Sequence, residues 1–306
     1  MKLKRVLIGG VLVLVGLPVV LILMLMVSVA VLDRTNGTLS SSGEEREYLL
    51  HVPPSYAPAT PTPLIISLHG AAVWPAQQMN LSGWNRLADE HGFIVAYPAG
   101  AETPRIWHVD RGDGLRADVR FIADLIDALR VSHNIDPARI YVNGMSNGGG
   151  MAFVLSCTLS DRIAAVGMVA AAQSLPWSWC TDQRAVPMIA FHGTADPIVP
   201  YDGGLSPVPG PPVVFPAIPS WIANWAARNR CEATPVESVA AADVTRVAYA
   251  NCAGGAAVVH YRVRDGGHTW PGGKPLPAWM VGRTSTGVDA TKRMWEFFRE
   301  HRLTAR

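Results

Sequence analysis

The sequence predicts an α/β fold with a mostly parallel central sheet and helices on both faces, spread over residues 46–306. Three observations carry that prediction. Hydrophobic residues make up 49% of the chain and charged residues 16%, enough apolar material for a sizeable core and too little charge for a disordered chain. Apolar runs of six to eight residues recur without strict polar alternation, the pattern of strands buried on both faces. Amphipathic stretches lie between these runs, and strands alternating with helices imply parallel pairing through crossovers. No internal repeat and no second composition regime divides the region.

Taken in order, the elements begin with a leader. Lys2, Lys4 and Arg5 precede an apolar run from Val6 to Leu32 whose one polar member is Ser28. Residues 1–32 therefore read as a membrane-directing segment with its basic end in the cytoplasm. A spanning helix needs ~20 apolar residues, so length favours an anchor through residues 6–32, and Pro18 would kink such a helix without excluding it from a bilayer. Ser28-Val29-Ala30 offers instead a small-x-small site for cleavage near Ala30. Both readings export the domain, either anchored with its body outside the cytoplasm or secreted. Residues 33–45, "DRTNGTLSSSGEE", read as a polar linker.

Beyond the linker, "LIISLH" (64–69), "FIVAYP" (93–98), "RIYVNG" (139–144), "VPMIAFHG" (186–193) and "VVHYRV" (258–263) are the expected strands. Residues 118–134 place Val119, Ile122, Leu125, Ile126 and Leu129 at helical spacing with charges opposite, and 291–302 predicts a closing helix. Residues 200–221 hold seven prolines, which deny regular hydrogen bonding and predict a long loop.

Charge and cysteine usage narrow the function classes. Lys2, Lys4 and Arg5 account for three of 26 basic residues, leaving 23 against 24 acidic ones, so nothing favours a nucleic-acid partner. Four cysteines in an exported chain imply disulfides rather than free thiols, and no C-x-x-C spacing suggests zinc. Three connectivities are open. The expected one is Cys157–Cys180 with Cys231–Cys252, because both close local loops, each contributing ~3 kcal/mol in a chain-entropy model.

The motif that carries chemistry is "VNGMSNGGG" (142–150). Gly144-Met145-Ser146-Asn147-Gly148 fits G-x-S-x-G, and the strand before it and the apolar helix after it supply the strand–turn–helix context of a nucleophile elbow. A serine hydroxyl needs a base and an acid to orient that base. His268 follows an expected strand in "RDGGHTWPGG" and would stand at the same sheet edge. His192 and His260 lie within strands and read as packed residues. Asp196 follows another strand in "FHGTADPIVPY", with Asp110, Asp113 and Asp202 as rivals in loops. The order Ser146, Asp196, His268 is the one that consecutive strands of this fold require. An oxyanion would be met by the backbone N–H groups of Asn147, which follows the nucleophile, and of Ala71, in the turn after "SLHG".

These segments resemble a known family. "LHG", "GMSNGG", "HGTADPIVPY" and "GGHTWPGG", in that order, are similar to the polyhydroxybutyrate (PHB) depolymerase and feruloyl esterase family of secreted α/β-hydrolases. The resemblance runs from about Arg46 to the C-terminal helix. It implies an α/β-hydrolase esterase domain over 46–306, with nucleophile, acid and base at Ser146, Asp196 and His268 and oxyanion amides at Asn147 and Ala71. It also supports pairing Cys231 with Cys252. Polymer-degrading members often carry a cysteine after "LHG", where this chain has Ala71, and no appended granule-binding domain is visible. Small soluble hydroxyacyl or phenolic esters are therefore the expected substrates. The expected reaction is ester hydrolysis through an acyl-enzyme, with no metal or organic cofactor. Trp270, two residues from the base, and Trp107, which resembles a family tryptophan near the crevice, are candidate walls of the acyl pocket. A serine peptidase on the same triad and a non-catalytic envelope-anchored binding protein are the competing classes.

Overall fold

A computed structural model describes residues 29–173, 175–180, 184–207 and 212–304. Most of the leader read over 6–32 lies outside the described residues. Among those described, no helix is long and apolar enough to cross a membrane.

Among the described residues twelve strands form in chain order: β1 (Gly37–Ser41), β2 (Glu44–His51), β3 (Thr62–Leu68), β4 (Ile94–Pro98), β5 (Ile135–Met145), β6 (Ala165–Val169), β7 (Met188–Gly193), β8 (Gly204–Leu205), β9 (Val214–Phe215), β10 (Val236–Ala241), β11 (Val244–Tyr249) and β12 (Val258–Val263). The helices are α1 (Pro75–Ser82), α2 (Trp84–His91), α3 (Asp113–Ser132), α4 (Asn147–Thr158), α5 (Ile218–Arg228), α6 (Ala278–Val281) and α7 (Ala290–Phe298). Ten strands make one sheet in the order β1-β2-β4-β3-β5-β6-β7-β12-β11-β10. The six from β4 to β12 are parallel, and antiparallel hairpins extend both edges.

The unalternating apolar runs fold as strands because both sheet faces are covered. Leu64, Ile66, Leu68, Ile140 and Val142 point into one apolar layer with α3, α4 and α5. Ile65 and Tyr141, one residue out of phase, point into a second layer with α1, α2 and α7. In α3 the buried residues Leu115, Phe121, Ile122, Leu125, Ile126 and Leu129 form one stripe. Both disulfides take the local pairing: Cys157–Cys180 ties the end of α4 to the turn after β6, and Cys231–Cys252 ties the end of α5 to the turn after β11.

Two sequence expectations need correction. Residues 33–45 are not a free linker, since β1 and the start of β2 lie there and pair antiparallel at the sheet edge. Gly43, at φ 82°, lets the hairpin turn within a stretch whose polarity alone suggests a tether. Asp33 is also fixed, by Arg105 at 3.1 Å. The long loop over 200–221 is shorter than its prolines suggest: β8 and β9 pair within it, and α5 begins at Ile218 with Pro219 in its first turn, where proline is tolerated.

Candidate active site

Parallel strands bring their C-terminal ends to one edge, and the loops after β3, β5, β7 and β12 meet there. Ser146 sits between β5 and α4 at φ 55°, ψ −122°, outside the regions open to ordinary L-residues. Such strain persists only when the surroundings over-determine it. Here the Ser146 N–H donates to Val169 O at 2.9 Å, and Gly150 N–H donates back to Ser146 O at 3.0 Å. The flanking glycines make the turn possible. A methyl on Gly144 would lie 2.3 Å from the Gly148 carbonyl, and one on Gly148 2.4 Å from the carbonyl oxygens of Leu68 and His69.

Asp196 and His268 are in contact. The His268 Nδ1–H faces Asp196 Oδ2 at 2.9 Å and Oδ1 at 3.1 Å. Oδ1 also accepts from the amides of Ile198 (2.8 Å) and Val199 (2.9 Å), and His192 Nε2 stands 3.4 Å from Oδ2. Burial works to raise the Asp196 carboxyl. The hydrogen bond and charge of His268, with His192 and the Val199 amide, outweigh it and hold the group below its usual range. His192 and His260 are buried in β7 and β12, as their strand positions suggest, and burial lowers both, His260 to about 3. Asp110, Asp113 and Asp202 are exposed, and none touches His268. Among the described residues the Ser146 hydroxyl makes no hydrogen bond to either partner, a contact that in esterase-type sites commonly tightens only with substrate.

The opposite flank is built from backbone. A methyl on Gly70 would stand 3.5 Å from Ser146 Cβ, so the turn after β3 lies beside the serine. Among the described residues no backbone carbonyl claims the N–H of Ala71 or of Asn147, and Asn147 opens α4, where the helix dipole favours negative charge. His69 shapes this turn. Its Nε2 accepts from Gly100 N–H at 2.9 Å, and its Nδ1–H donates to Gly70 O at 2.7 Å, which fixes a neutral tautomer. Burial, with the Arg105 charge, lowers it to about 4 despite the Gly70 bond.

Trp107 and Trp270 are each 1% exposed, so neither offers a face to an open acyl pocket. Trp107 instead donates Nε1–H to His69 O at 3.1 Å, and Trp270 donates to Thr291 Oγ1 at 2.8 Å. Their loop positions suggested crevice walls, but large apolar rings are stabilised by burial when the indole N–H finds a partner. Sequence reasoning missed His69, whose signal was a histidine ending an otherwise apolar strand. It also missed the side chain of Asn147, which grips the Trp107 backbone from both sides: Oδ1 accepts Trp107 N–H at 2.8 Å and Nδ2 donates to Trp107 O at 2.9 Å.

The profile of the family described as Esterase PHB depolymerase matches residues 46–175. "Feruloyl esterase B" of Piromyces equi is 32% identical over 235 residues, an alignment covering 75% of this chain and 44% of that protein, so the chain spans less than half of that relative. "Putative esterase NocK" of Nocardia uniformis subsp. tsuyamanensis is 32% identical over 277 residues, covering 84% of this chain and 80% of that one. Among solved structures, an acetyl xylan esterase from Aspergillus awamori shares the fold at a TM-score of 0.59 and 14% identity, covering 86% of this chain and 98% of the other.

Proposed function

The chain belongs to the PHB depolymerase family of esterases, and from that membership we propose that it hydrolyses carboxylic esters through an acyl-enzyme on Ser146. His268 takes the serine proton as the hydroxyl attacks the ester carbonyl. Asp196 holds the imidazole by its Nδ1–H and stabilises the imidazolium. The amides of Asn147 and Ala71 receive the oxyanion. The alcohol leaves with the proton from His268, and water, activated by the same imidazole, releases the acid. Short hydroxyacyl or feruloyl-type phenolic esters are the substrates this reading favours. The observation that carries it is the buried Asp196–His268 pair sharing one sheet edge with a serine in a strained elbow.

Export is part of the same reading. Two disulfides fit an oxidising compartment, and the basic-then-apolar leader directs the chain to a membrane, where its length favours retention as an anchor. The test is a panel of acetyl, butyryl, hydroxybutyryl-oligomer and feruloyl esters beside a peptide anilide, with fluorophosphonate labelling. Ester turnover with labelling lost in Ser146→Ala is expected. Anilide turnover without ester turnover would make it a peptidase, and absence of labelling would make the scaffold non-catalytic.

A further inference from the structure

The segment after the leader is held against the sheet from Asp33 onward, by Arg105 and then by β1. The leader's last turn is helical, with Asp33 N–H donating to Val29 O at 2.8 Å. Its next side chain is held at once: the Asp33 carboxylate takes Arg105 Nε at 3.1 Å and its second nitrogen at 3.2 Å. The Arg105 carbonyl in turn accepts the N–H of Ala72 at 2.8 Å, one residue from the candidate oxyanion amide. The apolar run of residues 6–32 holds more than the ~20 apolar residues a bilayer span requires. Its outer end therefore falls within a few residues of the active-site rim, with no tether between.

Exposed apolar side chains point the same way. Trp279 is 86% and Met280 52% exposed on α6, immediately before Val281, whose carbonyl accepts the His268 N–H at 2.6 Å. Leu205 and Val214, on the β8–β9 hairpin downstream of Asp196, are also exposed, as is Val31 at 55% in the leader's last turn. The β3 and β12 ends lie four strand spacings apart, ~19 Å, so the Asp33 clamp and the Trp279 patch flank Ser146 on opposite sides. Val131 and Val239 are exposed as well, on α3 and β10, but Trp279 is the one tryptophan among the exposed large apolar side chains of the described residues, and tryptophan is favoured where water meets lipid.

We propose that this edge lies against the membrane holding the leader, so that the enzyme draws amphiphilic esters from the lipid surface. The inference rests on the esterase reading and on the leader being retained.

The full-length chain in phosphatidylcholine vesicles tests it by two readouts. Brominated phosphatidylcholine should quench a fraction of tryptophan emission that disappears in Trp279→Phe. A flexible Gly/Ser insert of roughly twenty residues between Leu32 and Asp33 should lower turnover of a bilayer-borne p-nitrophenyl palmitate by about tenfold, leaving soluble p-nitrophenyl acetate unchanged, because the effective concentration at the surface drops. Quenching identical in wild type and Trp279→Phe overturns the proposal, as does equal loss on both esters, release of the chain from vesicles by cleavage, or Trp279-dependent adsorption to a polyester film and not to vesicles. If neither ester is hydrolysed while Trp279 quenching persists, the esterase reading fails and the surface assignment stands.

Discussion

Two buried histidines stand on opposite flanks of Ser146 and are held by opposite means. His268 has a carboxylate behind it, itself kept ionised by two amides and a second histidine. His69 has only a carbonyl and an amide, and burial drives it to about 4. The contrast fits the work proposed for each flank. A base must gain a proton within the reaction, so its positive form needs a countercharge in a largely desolvated site. The oxyanion flank must not change charge at all, since a proton on His69 would break the bond from Gly100 and reshape the turn that carries Ala71. One flank is made of charge and the other of fixed dipoles.

The sharpest way to break the charged flank is Asp196→Asn. It keeps the shape while offering His268 the wrong tautomer, and kcat should fall about 10⁴-fold, read with p-nitrophenyl butyrate at saturation. KM should change little, because the substrate is bound elsewhere. If kcat fell less than tenfold, Asp196 would not be the acid partner.

The dipole flank should break less severely and in a different way. His69→Ala leaves the Gly100 N–H without a partner inside the protein, at about 1–3 kcal/mol, and leaves the Gly70 carbonyl with the Val73 N–H alone. Urea unfolding should register that loss. If the turn also shifts, the Ala71 amide leaves the oxyanion position, and kcat should drop by about 10²–10³. His69→Gln, which can still accept and donate, should recover part of both losses. Full kcat in His69→Ala would mean that the turn keeps its shape without the imidazole.

The two flanks also differ in their response to acid. With the folded pKa of His69 near 4 against an ordinary 6.5, the unfolded chain binds the extra proton between those values and the folded one does not. His69 thus contributes its full stabilisation above pH 6.5 and loses it as the pH falls toward 4, a change of about 3 kcal/mol. Asp196, with its pKa held low, loses its contribution only as the pH falls below the usual carboxylate range. Unfolding free energies measured from pH 7 to pH 4 should therefore slope downward, and the slope should be shallower in His69→Gln. Equal slopes would mean the wild-type ring is protonated while folded. His260, lowered to about 3 behind the charged flank, should keep its share of the slope in both proteins.

The charged flank was the more legible in the sequence, and the reason is physical. Ser146, Asp196 and His268 each follow a strand within a short motif, and strand order alone carries three strand ends to one edge. The parallel core was readable for the same reason: buried strands are apolar on both faces. The dipole flank depends on backbone groups, which any residue carries, so Ala71 could be placed by position and His69 could not be given a task. The edge hairpins were illegible because an edge strand is partly solvated and reads as loop: β1 is "GTLSS" and β10 is largely exposed. The tryptophans failed in another way. Loop membership says nothing about burial, and two residues of separation from His268 did not turn Trp270 outward.

Trp107→Phe tests the part of the comparison expected to affect turnover least, the indole on the dipole flank. Trp107 stacks near Phe121 and His69, and its Nε1–H is the donor that occupies His69 O. A phenylalanine keeps most of the ring contact and the backbone clamp from Asn147, since that clamp uses only main-chain atoms of residue 107. What is lost is the indole bond and the volume of the second ring, which together should cost about 2–4 kcal/mol of stability with kcat changed by less than threefold. Asn147→Ala removes the clamp and spares the indole, so the pair of variants separates packing of the loop from its registry. A fall in kcat for Asn147→Ala beside near-normal turnover for Trp107→Phe is expected if the clamp, and not the ring, keeps the start of α4 aligned with the turn after β3. The reverse ranking would move the positioning role to the tryptophan.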